Sequence, residues 1–160
     1  MATQAVAADS VLYLTFRIEQ ELLAFEVARV REVLDLCPIT RVPRTPEYMR
    51  GVINLRGSVI PVLDLRLKFG LPKTATTIDA RIVVIEIHYE GEMVLVGILT
   101  DSVHDVIEID SEHINSSPQM GARWRTEYVS GIGKFNDQFI LLLDLDRVFS
   151  SKDAGSLSEG

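Results

Sequence analysis

Apolar and polar positions alternate along most of this chain with the two-residue period of half-buried strands. Leu12, Leu14, Phe16 and Ile18 interleave with Tyr13, Thr15 and Arg17, and Val83, Ile85, Ile87 and Tyr89 form a second such run. Each run meets a polar step, Glu19-Gln20-Glu21 or Glu90-Gly91-Glu92, so each reads as the first arm of a hairpin. Further β-rich runs lie at Arg31–Leu36, Val52–Leu55, Val59–Leu65, Val94–Thr100, Val103–Ile109, Val129–Gly133 and Gln138–Leu145. About ten short strands are expected in all. Helical signals are weaker. Val27, Val30 and Val33 within Phe25–Val33 have the spacing of one or two helical turns, and Thr45-Pro46-Glu47 reads as a threonine cap with proline in the first turn. A last short helix is expected from Asp144 or Leu145 toward Ser151. Short strands punctuated by Gly, Pro and Asn predict an all-β barrel or sandwich rather than an α/β sheet.

The pattern also repeats. A shift of 80 lays Tyr48–Phe69 over Tyr128–Phe149, with Tyr48/Tyr128, Gly51/Gly131, Ile60/Ile140, Leu63/Leu143, Asp64/Asp144, Leu65/Leu145 and Phe69/Phe149 identical. A shift of 73 lays Leu22–Leu36 over Leu95–Ile109, pairing Val30 with Val103 and Val33 with Val106. Each half is too small to bury a generous core alone, so two similar barrels packed together are expected, with a groove at their seam. They are placed at about residues 11–70 and 80–149 of a single domain over 11–150, with strands free to cross between them. The polar, aperiodic stretches 1–10 and 151–160 read as frayed ends.

Composition narrows the function. Among 160 residues, 16 Lys+Arg against 23 Asp+Glu leave a formal charge of −7. That balance repels phosphate backbones and anionic headgroups, so neither nucleic-acid binding nor direct membrane insertion is expected. The mean hydropathy is +0.18, yet no apolar run approaches the roughly 20 residues that span a bilayer. The first residues carry no basic segment ahead of an apolar one, and Cys37 is the single cysteine; both fit a cytoplasmic protein.

Motifs for chemistry are sparse. His88, His104 and His113 lack metal-ligand spacing, so no metal or cofactor is expected. Asp64 and Asp144 recur at equivalent positions and could form an acid–base pair. Each also closes a strand before a short helical segment, where a carboxylate caps backbone N–H groups, and that reading is preferred. Gly131-Ile132-Gly133-Lys134 has neither the spacing nor the hydroxyl of a phosphate loop and reads as a hairpin turn. Asn54-Leu55-Arg56-Gly57 is a hairpin turn with Arg56 thrown outward. Its counterpart Lys134-Phe135-Asn136-Asp137 keeps the turn and loses the Arg-Gly, an asymmetry that points to function. Val27, Val30 and Val33 are either the core face of one element or an exposed apolar strip rimmed by Glu32 and Arg56.

The run Tyr48-Met49-Arg50-Gly51-Val52-Ile53-Asn54-Leu55-Arg56-Gly57-Ser58-Val59-Ile60-Pro61-Val62-Leu63-Asp64-Leu65-Arg66 resembles the signature of the CheW family of bacterial chemotaxis coupling proteins. Arg41–Pro46 upstream and Thr126–Gly131 downstream fit the same pattern, and the resemblance runs from about Leu12 to Phe149. It implies two SH3-like five-stranded β-barrels with short helical segments and no enzymatic activity. It also implies an adaptor that joins the cytoplasmic hairpin tip of a chemoreceptor to the regulatory domain of the histidine kinase CheA. The chain is expected to be a monomer able to enter rings in receptor arrays. A related reading is a scaffold of the same family in another receptor–kinase pathway, for surface motility or second-messenger control.

Carried over by position, the resemblance assigns receptor binding to Val27, Val30, Glu32, Val33, Gly51, Asn54 and Arg56, with Ile98 and Val103 completing the groove. It assigns kinase binding to Pro118, Gln119 and Met120. Trp124, between Arg123 and Arg125, is a local core plug or a partner contact.

Overall fold

A computed structural model describes residues 10–72, 77–110, 114 and 128–149. Ten strands dominate the described residues. They are β1 (Ser10–Ile18), β2 (Glu21–Glu26), β3 (Val30–Asp35), β4 (Met49–Leu55), β5 (Ser58–Asp64), β6 (Arg81–Tyr89), β7 (Glu92–Thr100), β8 (Ser102–Asp110), β9 (Val129–Phe135) and β10 (Gln138–Leu143). Two four-residue helices, α1 (Leu65–Lys68) and α2 (Leu145–Val148), follow β5 and β10. Among the described residues no helix is long and apolar enough to cross a membrane.

The strands form two five-stranded sheets, ordered β8-β1-β2-β10-β9 and β3-β6-β7-β5-β4, the two SH3-like barrels of the fold. The barrels are not the sequence halves at about 11–70 and 80–149. The first barrel takes β1 and β2 from the beginning of the chain and β8–β10 from its end, while β3–β7 form the second. Adding five to each strand number of the second barrel, and counting β11 and β12 as β1 and β2, reproduces the first. The two-stranded hairpins that open each repeat are therefore exchanged: β1 pairs with β8 rather than β3, and β6 pairs with β3 rather than β8.

Alternation along the strands separates three cores. One face of β1, β2, β8 and β10 fills the first barrel with Tyr13, Ala24, Ile107, Ile109, Ile140 and Leu142. The second is filled by Ile53, Ile60, Val62, Ile82 and Leu99. The opposite faces meet in a shared core in which Leu14, Phe16, Ile18, Leu23 and Phe25 pack with Val83, Ile85, Ile87, Val96 and Ile98. Each fully buried side chain of this size contributes about 1.5–3 kcal/mol, so the seam is an integral part of the fold.

Three local expectations are corrected. Phe25 ends up in β2, and the helical stretch shrinks to a 3-10 turn, Val27–Arg29, before β3. Thr45-Pro46-Glu47 starts no helix: the Thr45 hydroxyl donates to the Val42 carbonyl at 2.9 Å and Met49 N–H to the Pro46 carbonyl at 2.9 Å, a turn leading into β4. Gly131–Lys134 lies inside β9, where the Gly133 Cα faces the Ile109 side chain closely enough that a Cβ would come within 3.1 Å of it. The turn itself is Asn136-Asp137, with both φ angles positive.

Candidate functional site

The β4–β5 hairpin turns at Arg56-Gly57, with φ of 51° and 89°, the pair of left-handed residues that a type I′ turn requires. The Asn54 side-chain oxygen accepts the Gly57 N–H at 2.9 Å and stiffens the tip. Arg56 then reaches across to β3, where its Nη1 and Nη2 donate to the two Glu32 carboxylate oxygens at 3.3 and 2.5 Å. The Arg56 side chain is 72% exposed and that of Glu32 31%. The hydrogen bond from Arg56 holds the Glu32 carboxyl below its ordinary range, and the same bond raises the Arg56 guanidinium. Arg56 is thus not a free cation awaiting a partner, since its fork is already engaged by a carboxylate.

The valine stripe owes its geometry to a bulge. Val30 pairs with Ile85 and Glu32 with Val84, leaving Arg31 as an extra residue on β3. Val30 and Val33 therefore share the face that looks into the seam, although they are three residues apart, and Glu32 takes the other face. Val27 and Val30 pack half-buried against the shared core, while Val33 emerges from it, 41% exposed. An apolar ledge continuous with the core results. The same bulge recurs on β8, where Val103 pairs with Phe16 and Val106 with Leu14. Val103 also packs half-buried on the shared core, and Val106 is exposed. Val106 was not singled out from the sequence, although the 73-residue shift onto Val33 carried the signal.

Two expected contact residues are corrected. Ile98 is completely buried in the shared core and has no surface to offer. Gly51 is buried too, and a Cβ built there would lie 2.1 Å from the Thr40 carbonyl oxygen. Its φ of +143° and this close approach make it a backbone requirement of the Thr40↔Val52 bridge. Pro118, Gln119, Met120, His113 and Trp124 lie outside the described residues, as do 1–9 and 151–160 of the two ends assigned as frayed, whereas Ser10 opens β1 and pairs with Asp110.

The aspartates are caps. Asp64 accepts the Arg66 N–H at 3.0 Å to start α1. It is also fully buried and paired with Arg50 Nη1 at 2.9 Å. Asp144 accepts the N–H groups of Asp146 and Arg147 at 3.1 and 3.3 Å to start α2. Each serves the helix of its own barrel, so they form no acid–base pair. His88 is exposed on β6.

An apolar ledge thus lies beside an ion-paired hairpin tip along the seam of two exchanged barrels. Residues 12–153 match the family model described as a CheW-like domain, and the chain belongs to the CheW family. It is 33% identical over 141 residues to the chemotaxis protein CheW of Klebsiella aerogenes, covering 88% of this chain and 82% of that protein. It is 31% identical over 157 residues to the protein FrzA of Myxococcus xanthus, covering 91% and 95%. The crystal structure of the scaffolding protein CheW from Thermoanaerobacter tengcongensis superposes with a TM-score of 0.79 at 36% identity, covering 89% of this chain and 94% of that one. The chain's homologues are thus chemotaxis scaffold proteins.

Proposed function

We propose that this protein is a non-catalytic adaptor of chemotaxis signalling, coupling the cytoplasmic hairpin tip of a chemoreceptor to the regulatory domain of the histidine kinase CheA. The observation that carries this reading is the ledge of Val27, Val30 and Val33, continuous with the seam core in a chain of the CheW family. A receptor helix with an apolar stripe would extend the core outward by covering Val33, as in helix-in-groove recognition. Asn54 and the Glu32–Arg56 pair form the polar rim, where Glu32 already neutralises the arginine and a partner carboxylate would have to compete for its fork. Val103 belongs to the equivalent ledge of the first barrel. The kinase contact is assigned to Pro118, Gln119 and Met120, with Met120 as an adaptable apolar anchor. The protein acts in the cytoplasm, as a monomer in solution that can enter receptor–kinase rings, and uses no metal or cofactor.

An NMR titration of the labelled protein tests the assignment. A receptor cytoplasmic hairpin is expected to shift the amides of Val30, Glu32, Val33 and Arg56, and the kinase regulatory domain a separate set around Met120. If neither partner perturbs the spectrum in several pairings, the coupling function is wrong. A single overlapping set of shifts would mean that the two partners compete.

A further inference from the structure

Among the described residues the chain crosses from one barrel to the other twice, and an arginine ties down each crossing. The first crossing is the Val27–Arg29 turn between β2 and β3. Arg29 Nε donates to the Glu86 carbonyl of the second barrel at 2.8 Å, and its Nη2 to Asp146 Oδ1 on α2 of the first at 2.8 Å. The second crossing is Asp101, between β7 and β8. Arg66 on α1 of the second barrel grips it with two bonds, Nε to Oδ1 at 2.9 Å and Nη2 to Oδ2 at 2.6 Å. The remaining nitrogen of Arg66, Nη1, reaches Glu19 Oε2 in the β1–β2 turn of the first barrel at 3.3 Å, and the Glu19 N–H donates to Asp101 Oδ2 at 2.8 Å.

The arrangement repeats with the charges reversed. Arg66 and Asp146 are 80 residues apart, the shift that superposes α1 on α2, and each is the second residue of its helix. In one case the helix supplies the cation and the crossing the anion; in the other the roles are exchanged. The side chains of Arg66, Asp101 and Glu19 are between 18% and 24% exposed, so solvent screens this group less than an ordinary surface pair. The hydrogen bond to Asp101 raises the Arg66 guanidinium further.

The shared core between the barrels is apolar, and apolar burial is non-directional: it favours contact without fixing an angle. Forked arginine–carboxylate contacts do have direction. We propose that Arg29–Asp146 and Arg66–Asp101–Glu19 are positioning latches that set the angle between the two barrels and so the shape of the valine ledge that receives a partner helix. The partner half of this inference rests on the adaptor reading above; the angle half stands by itself.

The test uses the full chain with Cys37→Ser, spin-labelled at His88→Cys on the second barrel and Lys134→Cys on the first, both exposed positions outside the ledge. Double electron–electron resonance then reads the distance between barrels. Arg66→Gln and Arg29→Asp, folded by circular dichroism, are expected to broaden or displace the distance distribution. Arg29→Lys, whose ammonium still donates toward the Glu86 carbonyl and Asp146, is expected to keep the parental distance. Affinity for a receptor hairpin falls by roughly tenfold in Arg66→Gln and Arg29→Asp and stays near the parental value in Arg29→Lys, within the range usual for coupling between sites. A merely stabilising ion pair would lower the melting point and leave distance and affinity in place. Parental distances in folded Arg66→Gln and Arg29→Asp overturn the proposal, and so does a displacement of the same size in Arg29→Lys. If Arg29→Asp does not fold, the milder Arg29→Gln and Asp146→Asn carry the same measurement. If the parent protein binds no receptor hairpin, the adaptor reading falls and the distances still decide the latches.

Discussion

At the scale of single residues, Arg56 and Gly51 show how one signature combines two kinds of requirement. Arg56 is exposed and sits at a hairpin tip, so Arg56→Ala should move the melting midpoint by no more than about 2 °C while weakening receptor binding in a direct titration. A larger drop would make the arginine structural. The pair also carries a pH signature. The folded-state pKa of Glu32 is lowered, chiefly by the hydrogen bond from Arg56, so the pair's contribution is complete above the unfolded glutamate pKa of about 4.3 and is lost as pH falls through the depressed value. Carboxyl-detected NMR should therefore give Glu32 a midpoint below the ordinary one, returning to it in Arg56→Ala. Gly51 behaves oppositely. A methyl group there meets the Thr40 carbonyl at 2.1 Å on a positive-φ backbone, and Gly51→Ala should cost about 2–4 kcal/mol in denaturant unfolding. Loss of receptor binding in that variant would then report unfolding of the hairpin base rather than a lost contact.

At the scale of elements, the strand positions were legible because period-two alternation survives wherever one face is buried. The stripe Val27, Val30, Val33 misled for a definite reason: the extra Arg31 on β3 converts a spacing of two into a spacing of three, which imitates a helix. Only the partner strand reveals the bulge. Ile98 and Val33 illustrate a second limit, since both belong to apolar β-rich runs and nothing in such a run tells the deep end of a face from its rim. The pairing of Glu32 with Arg56 was hidden because 24 residues separate them, although each was legible as a rim residue. The caps were readable, since Asp before a short helix has a local purpose. They are nonetheless unequal. Asp144 is a half-exposed cap, and Asp144→Ala should cost about 1 kcal/mol. Asp64 is fully buried and also holds Arg50, so Asp64→Ala should cost about 2–3 kcal/mol by leaving a half-buried guanidinium without its carboxylate. Equal losses in chemical denaturation would show that the Arg50 contact adds nothing to the cap.

At the scale of the whole molecule, the repeat established that two barrels exist, while the pairing of strands decided how the chain is shared between them. An internal repeat identifies equivalent strands, and equivalence leaves open whether each hairpin closes its own barrel or the other one. Here β1 and β2 complete the barrel of β8–β10, and β6 and β7 complete that of β3–β5, so each sequence half holds only part of each sheet. A fragment ending before β6 would contain β3, β4 and β5 without the two strands between them, plus a β1–β2 hairpin whose partners β8 and β10 are missing. Such a fragment leaves the Phe16, Ile18, Leu23 and Phe25 side of the shared core uncovered, and an isolated hairpin is marginal at best in water. Residues 1–76 and 77–160, expressed separately, are therefore expected to show no cooperative thermal transition, and mixing them should restore strand circular dichroism and a single transition. The intact chain should likewise melt in one step, with the near-ultraviolet circular dichroism of buried Tyr13 and Tyr128 and the far-ultraviolet signal superimposing. Independent folding of either half would mean that the hairpins can close on their own repeats. The exchange would then be one of two available pairings, and the crossings at Val27–Arg29 and Asp101 would mark where the chain chooses between them.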